Sequence, residues 1–242
     1  MSFLKQSIAL PSGRIELDLP DGVHVPSPST VELAGLLDVQ PGERVLELGC
    51  GSGLLSIAAA RLGARESVAV DIDPLALETT LFNARANGVE DVVTVLEGSW
   101  YEAVSDLEQA PFDVIIAVAP QTPAFSDIGP RYGGRYGTDH LFAIIDGAGD
   151  HLEPGGGRLW LLVISLADVG AVMNRLRNLF CDVRLLKTSK RFFSREEYEG
   201  LARGLFNYLL NLRREGKASF EVCDDGTCHF RNYFIRAANN RL

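Results

Sequence analysis

The feature that most constrains this chain is a run of closely spaced glycines between an apolar segment and a helical one. Residues 47–53 read Glu-Leu-Gly-Cys-Gly-Ser-Gly, after the apolar run 44–48 and before the helical stretch 54–62. Glycine adopts backbone conformations that other residues avoid, so glycines at alternate positions predict a tight turn from strand to helix. Turns of this kind occur in parallel α/β sheets, where they let a ligand approach the backbone.

Short apolar runs alternate with helical stretches over most of the chain, which predicts a parallel sheet with helices on both faces. The fold class we expect is α/β, a doubly wound Rossmann-like sheet of seven strands with an antiparallel last strand. The predicted strands are residues 44–48, 67–71, 92–96, 112–118, 158–164 and 183–188, and the predicted helices are 54–62, 73–87, 138–151 and 167–179.

The N-terminal segment falls outside this alternation. Residues 15–19 and 23–25 alternate between apolar and polar side chains, with Pro20-Asp21-Gly22 between them, which predicts a β-hairpin. Ser29 and Glu32 then form the capping-box pattern of a helix start. We therefore divide the chain into an N-terminal hairpin extension, residues 1–28, and a main domain, residues 29–242.

Residues 194–217 form a second exception, a helical insertion that follows the sixth strand and precedes the final runs 218–222 and 229–235. Ser194 and Glu197 mark its start as a capping box. The carboxyl ends of parallel strands lie on the ligand side of such a sheet. We therefore predict that the insertion is part of a substrate lid. The alternatives are that its apolar stripe is core, or that it forms a homodimer contact.

Two details of the glycine turn distinguish its ligand from a dinucleotide. A dinucleotide-binding turn has the pattern G-x-G-x-x-G, whereas Leu54 stands at the place of the third glycine. Glu47 would repel a pyrophosphate, but its carboxylate suits a ligand that carries an ammonium and a sulfonium. The turn therefore predicts S-adenosyl-L-methionine (SAM), with the product SAH, as the cofactor.

Residues at the ends of the next two strands complete the predicted cofactor site. An acceptor at Asp71 can take both ribose hydroxyls, and Ile72 can cover one face of the adenine. Trp100 is either a wall of this site or ordinary core. The predicted cofactor-binding residues are Glu47, Gly49, Cys50, Gly51, Gly53, Leu54, Asp71, Ile72, Gly98, Ser99, Trp100 and Val118.

These segments resemble class I SAM-dependent methyltransferases, and most of all the HemK/PrmC-type glutamine methyltransferases of release factors. Residues 45–53 are similar to motif I of the class, and residues 70–77 to its next motif. Residues 25–30, 98–101 and 133–137 are similar to the group's I-P-R-P-x-T, S-D-W-F and G-G-x-D-G stretches. The resemblance implies a SAM-dependent methyltransferase.

The chain departs from that group where the methyl acceptor would bind. The group's N-P-P-Y tetrapeptide is replaced by Val118-Ala119-Pro120-Gln121, so a side chain that cannot hydrogen-bond stands in place of the asparagine. The group's N-terminal helical domain has no counterpart. Both departures point away from release factors as substrates. We predict Ala119, Pro120, Gln121 and Tyr136 as substrate-contacting residues.

Methyl transfer requires an aligned nucleophile and, for many acceptors, a base that removes a proton. The candidate catalytic residues are His24, Asp139 and His140. His140 begins the helix after the loop that follows the fourth strand, and His24 lies near the N-terminal hairpin. The alternative for both histidines is an ordinary surface position.

The formal net charge of −9 argues against a general nucleic-acid binder. The charge is uneven, because residues 174–217 hold 11 Lys and Arg against 5 Asp and Glu. This basic segment either attracts an anionic substrate or is a solvated helix face. No apolar run is long enough to cross a membrane, and the first residues do not resemble a secretory signal. We therefore expect a cytoplasmic protein without a membrane partner.

Cys223 and Cys228 flank a turn sequence and could form a reversible disulfide, or face each other across a hairpin by chance. A zinc site would need two more ligands at matching spacing, so we expect no metal.

We predict a SAM-dependent methyltransferase that acts on nitrogen or oxygen of a small molecule or short peptide. The alternatives are a protein N-methyltransferase, for glutamine or another side chain, and a non-catalytic SAM-binding scaffold.

Overall fold

The structure is a computed structural model that describes residues 3–105, 110–224 and 226–239. The chain forms two compact units. The first comprises Met1–Val118, Asp150–Trp160 and Asn239–Leu242, and the second comprises Ala119–Gly149 and Leu161–Ala238.

An N-terminal β-hairpin opens the first unit, formed by β1 (Phe3–Leu10) and β2 (Gly13–Pro20) in antiparallel register. The prediction of a hairpin is confirmed, but the predicted pairing is wrong. Residues 15–19 lie in β2 and pair with the segment before them, whereas residues 23–25 form no strand. The reason lies around residues 23–25, where Pro20, Pro26 and Pro28 lack the backbone N–H that a strand ladder needs.

The remainder of the first unit alternates between helix and strand, as predicted. Strand β3 pairs with β4 and β6, and β4 pairs with β5, all in parallel, in the order β5-β4-β3-β6. All residues of β3 and β6 are buried, as expected for central strands of a parallel sheet. The elements are α1 (Pro28–Ala34), β3 (Arg44–Leu48), α2 (Leu54–Arg61), β4 (Glu66–Asp71), α3 (Pro74–Ala86), β5 (Val93–Glu97), α4 (Glu102–Ser105) and β6 (Val114–Ala117).

Side-chain caps set the starts of α1 and α3. Asp73 caps α3 as predicted, since its Oδ1 accepts a hydrogen bond from Leu75 N at 3.0 Å. The predicted cap of α1 is wrong, because Ser27 rather than Ser29 is the cap and its Oγ accepts from Thr30 N at 3.2 Å. Pro28 explains the difference, since proline favours the first helical position and so places the cap one residue before itself.

The second unit combines helices with an antiparallel part of the sheet. Its strand order is β7-β10-β8, and β10 is antiparallel to both β8 and β9. The predicted antiparallel last strand is confirmed. The main sheet has eight strands among the described residues rather than seven, because β9 forms an additional short pair. The elements, of which α5 and β7 have residues in both units, are α5 (Asp139–His151), β7 (Arg158–Ile164), α6 (Val169–Leu179), β8 (Asp182–Phe193), α7 (Arg195–Leu201), α8 (Leu205–Arg214), β9 (Phe220–Val222) and β10 (Cys228–Ala238).

The predicted single helix of the insertion is two helices, α7 and α8. Ser194 caps α7 as predicted, accepting from Glu197 N at 3.1 Å. The chain breaks before α8, where Gly204 has φ +88° and takes the cap position, a left-handed conformation that interrupts a helix.

The apolar stripe of the insertion is core of the second unit. Tyr198, Leu205 and Leu209 are at most 1% exposed, and they belong to one cluster with side chains of β8, β9 and β10. The insertion therefore contributes to the stability of this unit. Its role as a lid or a dimer contact stays a prediction.

In the described part of the chain, no helix combines the length and the apolar character needed to span a membrane.

We expect Leu209→Ala to lower the free energy of unfolding by about 2–5 kcal/mol, because it leaves a cavity among well-packed side chains. Urea unfolding followed by circular dichroism measures the change. Leu179→Ala is the matched control, since Leu179 is 48% exposed. Equal losses in the two variants would contradict a structural role of the stripe.

Candidate cofactor-binding site

Hydrogen bonds from two neighbouring elements fix the backbone of the glycine turn between β3 and α2. Gly49 N donates to Val70 O at 2.8 Å, and Gly51 N donates to Asp71 Oδ2 at 2.9 Å. From α3, Asn83 Nδ2 donates to Ser52 O at 2.9 Å. The turn is therefore held in place by β4 and α3 before any ligand binds.

Gly53 lets α3 pack closely against this turn. Its φ of +80° lies in the left-handed region, and a Cβ at this position would come within 2.9 Å of Thr80 Cγ2. Any other residue would thus be strained and would push Thr80 away. Thr80 Oγ1 donates to Gly51 O at 3.3 Å, so the same side chain both packs against the turn and bonds to it.

The end of β4 lies beside the turn. The carboxylate of Asp71 accepts from Gly51 N and, through Oδ1, from Asp73 N at 3.1 Å. The carbonyl of Asp71 accepts from Gly98 N at 3.0 Å, which brings the end of β5 to the same place. Ile72 is 72% exposed. A large apolar side chain left in solvent beside a carboxylate is suited to cover the flat face of a ligand.

Trp100 is held in an unusual conformation over the glycine turn. Its φ is +47°, and among the described residues it is the only one other than glycine with a positive φ. Its Cζ3 lies 3.7 Å from the position that a Cβ on Gly49 would take. The side chain is half-buried rather than core. Backbone strain of this kind costs about 1–3 kcal/mol and is concentrated at ligand sites, which favours Trp100 as a wall of the cofactor site.

Glu47 is buried in β3 with 2% exposure. Its Oε2 accepts from Ser56 N at 2.8 Å and from Ser56 Oγ. Burial raises the pKa of Glu47 to about 8, because desolvation outweighs the two hydrogen bonds from Ser56, which favour the charged form. At neutral pH the carboxyl therefore holds a proton in the ligand-free chain.

Two predicted cofactor residues point their side chains into the core. Leu54 and Cys50 are 1% and 4% exposed. Burial raises the pKa of the Cys50 thiol, so it stays protonated. Only the backbone of these residues is suited to meet a ligand.

The predicted substrate residues Ala119, Pro120 and Gln121 belong to the second unit, whereas Val118 ends a segment of the first. Gln121 Nε2 donates to Leu162 O at 2.9 Å and Ala119 O at 3.2 Å, and its Oε1 accepts from Ile164 N at 2.7 Å. The amide of Gln121 therefore fastens the chain to β7. Direct recognition of a substrate by this amide would require these bonds to break.

The loop that contains Tyr136 folds onto Gln121. A Cβ on Gly133 would lie 2.4 Å from Gln121 Cα, so only glycine fits there. Tyr136 O accepts from Asp168 N at 3.0 Å, which anchors the end of the loop to the start of α6.

The candidate bases lie in different units. His24 is exposed in the first unit, in the segment between β2 and α1. Asp139, which is exposed, and His140, which is half-buried, form the first turn of α5 in the second unit. Asp139 N donates to Gly133 O at 3.0 Å, so this helix start is tied to the loop that contains Gly133 and Tyr136.

The comparisons with known proteins agree with this geometry. Residues 30–119 match the model of the ribosomal protein L11 methyltransferase (PrmA) family. A ribosomal protein L11 methyltransferase of Bacillus cereus is 44% identical over 79 residues, which are 33% of this chain and 24% of that protein. The match therefore spans about a quarter of the relative's length.

Solved structures match over more of the chain. Precorrin 8W decarboxylase from Methanobacterium thermoautotrophicum is 23% identical with a TM-score of 0.54, covering 88% of this chain and 93% of that one. Ribosomal protein L11 methylase from Lactobacillus delbrueckii subsp. bulgaricus is 20% identical with a TM-score of 0.53, covering 89% and 82%. The fold is that of these solved structures, and residues 30–119 are similar in sequence to the L11 methyltransferase family.

The predicted resemblance to the HemK/PrmC-type group of methyltransferases is not confirmed. The sequence match is to the L11 methyltransferases instead. The motifs that suggested the HemK/PrmC group include the glycine turn and the end of β4, which are cofactor features that the class shares. They could not separate one acceptor group from another.

Sequence reasoning did not assign three side chains to this candidate site. Ser56 bonds to Glu47, and Thr80 and Asn83 hold the glycine turn. Thr80, Asn83 and Asn87 follow one another at intervals of three and four residues, so they share one face of α3. All three are buried. This stripe of polar residues on an otherwise apolar face of α3 is the sequence signal that could have identified Thr80 and Asn83.

The register of β9 and β10 distinguishes the two predictions for Cys223 and Cys228, a disulfide or a chance approach across a hairpin. Both cysteines are free. Cys228 pairs with Val222, and Cys223 N donates to Thr227 O at 2.8 Å. Because alternate residues of a strand point to opposite faces, the two thiols lie on opposite faces of the pair, which disfavours a disulfide.

Glu47→Gln tests the protonation of the buried carboxyl. Between about pH 4.5 and 8 the unfolded chain loses this proton and the folded chain keeps it, so the free energy of unfolding falls as pH rises. We expect the variant to lose this pH dependence, a decrease on the order of 5 kcal/mol over the range. Urea unfolding at several pH values measures it, with the exposed Glu97→Gln as control. An unchanged slope would contradict the raised pKa.

Proposed function

We propose that this chain is a SAM-dependent N-methyltransferase that modifies a side chain of a protein. The observation that carries the proposal is the match of residues 30–119 to the L11 methyltransferases, because that segment contains the glycine turn, Glu47 and Asp71. The sequence alone favoured a small molecule or short peptide as acceptor. The relatives, named for a ribosomal protein, favour the alternative, a protein acceptor.

The residues of the first unit fit SAM by their chemistry. The Asp71 carboxylate, which accepts from two backbone N–H groups, can accept ribose hydroxyls in the same way. Ile72 and Trp100 offer apolar surface for the adenine, and the glycine turn admits the methionine portion. When bound, SAM supplies an electrophilic methyl group on a positively charged sulfur.

Glu47 gives this site an electrostatic response to its ligand. Its carboxyl is protonated near neutral pH because it is buried. A nearby ammonium or sulfonium favours the charged form of a carboxyl. We therefore infer that Glu47 releases its proton to solvent when SAM binds. Because binding that releases a proton is favoured at higher pH, the affinity for SAM rises with pH up to about pH 8.

The acceptor must be bound by residues other than those of the glutamine methyltransferases. Val118 has no polar side-chain atom, and the Gln121 amide bonds to backbone groups. We infer that Asp139 or His140, at the start of α5, removes the acceptor's proton, with His24 as the third candidate. Such a base suits an amine acceptor, which must lose a proton before it can attack.

Methyl transfer from labelled SAM tests whether the acceptor is a protein or a small molecule. The chain is incubated with SAM carrying a radioactive methyl group, together with either purified ribosomal protein L11, total ribosomal protein or a protein-free extract of small metabolites. We expect label in protein bands after denaturing electrophoresis, and loss of that label in Asp71→Ala. Label confined to small molecules would overturn the protein acceptor while leaving SAM-dependent transfer intact. SAM binding without transfer to any acceptor would support a scaffold instead.

Ile72→Ala should weaken SAH binding by about threefold to tenfold, because the adenine loses apolar cover. Isothermal titration calorimetry measures the dissociation constant. Phe82→Ala is the matched control, since Phe82 is another exposed apolar residue of the first unit, 51% exposed on α3. Loss of affinity in the control alone, or in neither variant, would exclude Ile72 from the site.

A further inference from the structure

Strand β8 forms the end of the strand order β7-β10-β8 in the second unit. In the described part of the chain it pairs with β10 alone. It is 12 residues long, about twice the usual strand length of 5–6 residues. An edge strand presents backbone N–H and C=O groups that can pair with another extended chain. The length of β8 makes this edge large enough for a peptide.

Much of β8 lacks the cover that a strand normally has. The five consecutive residues 184–188 are all exposed, although successive side chains point to opposite faces. Leu185 is 51% exposed and Phe192 is 65% exposed. Exposed apolar side chains along a strand edge are a feature of interaction sites.

A β-bulge limits the regular part of the edge. The register with β10 shifts where Phe234 pairs with Lys187 and Ile235 pairs with Leu185, which leaves Leu186 as the additional residue. From residue 187 to residue 193 the pairing with β10 is uninterrupted. These seven residues span about 23 Å, enough for a peptide strand of similar length.

The charge of β8 indicates which kind of binding partner the strand favours. Residues 182–193 contain Arg184, Lys187, Lys190 and Arg191 against the single acidic residue Asp182. Arg184 pairs with Asp182, and Arg191 pairs with Glu197. Lys190 is exposed on the regular part of the edge. The strand thus holds four of the 11 Lys and Arg of the basic segment that the sequence analysis identified.

This charge disfavours a second copy of the chain and favours an acidic polypeptide. Two β8 strands paired edge to edge would bring cationic side chains together, and like charges on paired strands are destabilising. RNA would match the charge, but single-stranded RNA is bound by stacking on several aromatic side chains, and the one aromatic residue exposed on β8 is Phe192. An extended acidic peptide uses both the charge and the backbone edge.

We propose that β8 is a docking strand for an extended, acidic segment of a partner polypeptide, which adds to the sheet along residues 187–193. The docking requires neither SAM nor methyl transfer, so it is tested without them.

The probe is a fluorescein-labelled peptide of about eight residues in which Glu and Val alternate, the length of an ordinary strand. Fluorescence anisotropy measures its binding to the full chain. A peptide of the same sequence with an N-methyl group at every residue keeps the charge but has no backbone N–H to donate to a strand ladder. We expect the unmodified peptide to bind and the N-methylated peptide to lose most of the affinity.

Lys190→Glu should weaken binding of the unmodified peptide by about fivefold or more, because an attraction across the added strand becomes a repulsion. Arg65→Glu is the matched control, an exposed cation of the first unit, and should change the affinity by less than about twofold. Circular dichroism verifies that both variants are folded.

Several outcomes would overturn the proposal. Equal binding of the N-methylated peptide would show attraction by charge alone, and equal loss in Arg65→Glu would show that the whole surface is responsible. Absence of peptide binding would exclude the docking strand. Tighter binding of oligouridylate that Lys190→Glu removes would make β8 an RNA-binding strand, and a dimer in sedimentation that depends on β8 would make it a self-association edge.

Discussion

The amide of Asn83 connects the glycine turn to the rest of the first unit. Its Nδ2 donates to Ser52 O in the turn, and its Oδ1 accepts from Asp18 N in the N-terminal hairpin. The residue is fully buried, where an unpaired amide would be costly. The turn and the hairpin must therefore both be in place for this side chain to be satisfied. The hairpin is thus tied through α3 to the glycine turn.

Around this turn the chain tolerates two unfavourable arrangements. Glu47 is a carboxyl taken out of water, and Trp100 is a bulky residue with positive φ. Neither arrangement improves the stability of the ligand-free chain. Such features persist where surrounding structure enforces them, and they are concentrated at functional sites. Both lie beside the glycine turn, which supports this turn as the place where the cofactor binds.

The second unit depends on a different kind of interaction. Its core is aromatic, with Phe193 in contact with Tyr198, Phe220 and Phe230 at ring-centroid distances of 4.9–5.6 Å. These rings join the inserted helices to β8, β9 and β10. The segment after β6 is fastened separately, by the Gln121 amide. Gln121, which the sequence predicted to contact the acceptor, thus bonds to backbone groups of β7.

Much of the fold was predictable, because local patterns specify local structure. The apolar runs at β3 and β7, the Asp73 cap and the glycine turn were all readable from short stretches of sequence. The errors occurred where the competing choices are locally similar. Residues 15–19 could pair forwards or backwards along the chain, and only the proline content around residues 23–25 separates the two. The break between α7 and α8 depended on one glycine, Gly204, which a helical stripe can conceal.

The sequence by itself determined the class of fold and predicted the kind of cofactor, because both inferences follow from the chemistry of residues 47–53 and of Asp71. Only the tertiary structure decided what individual side chains do. Thr80 and Asn83 bond to the turn from α3, the Gln121 amide bonds to β7, and part of the basic segment lies on an edge strand. The physical reason is that hydrogen-bond partners and close contacts involve residues 27–43 positions away along the chain. No local pattern specifies such partners.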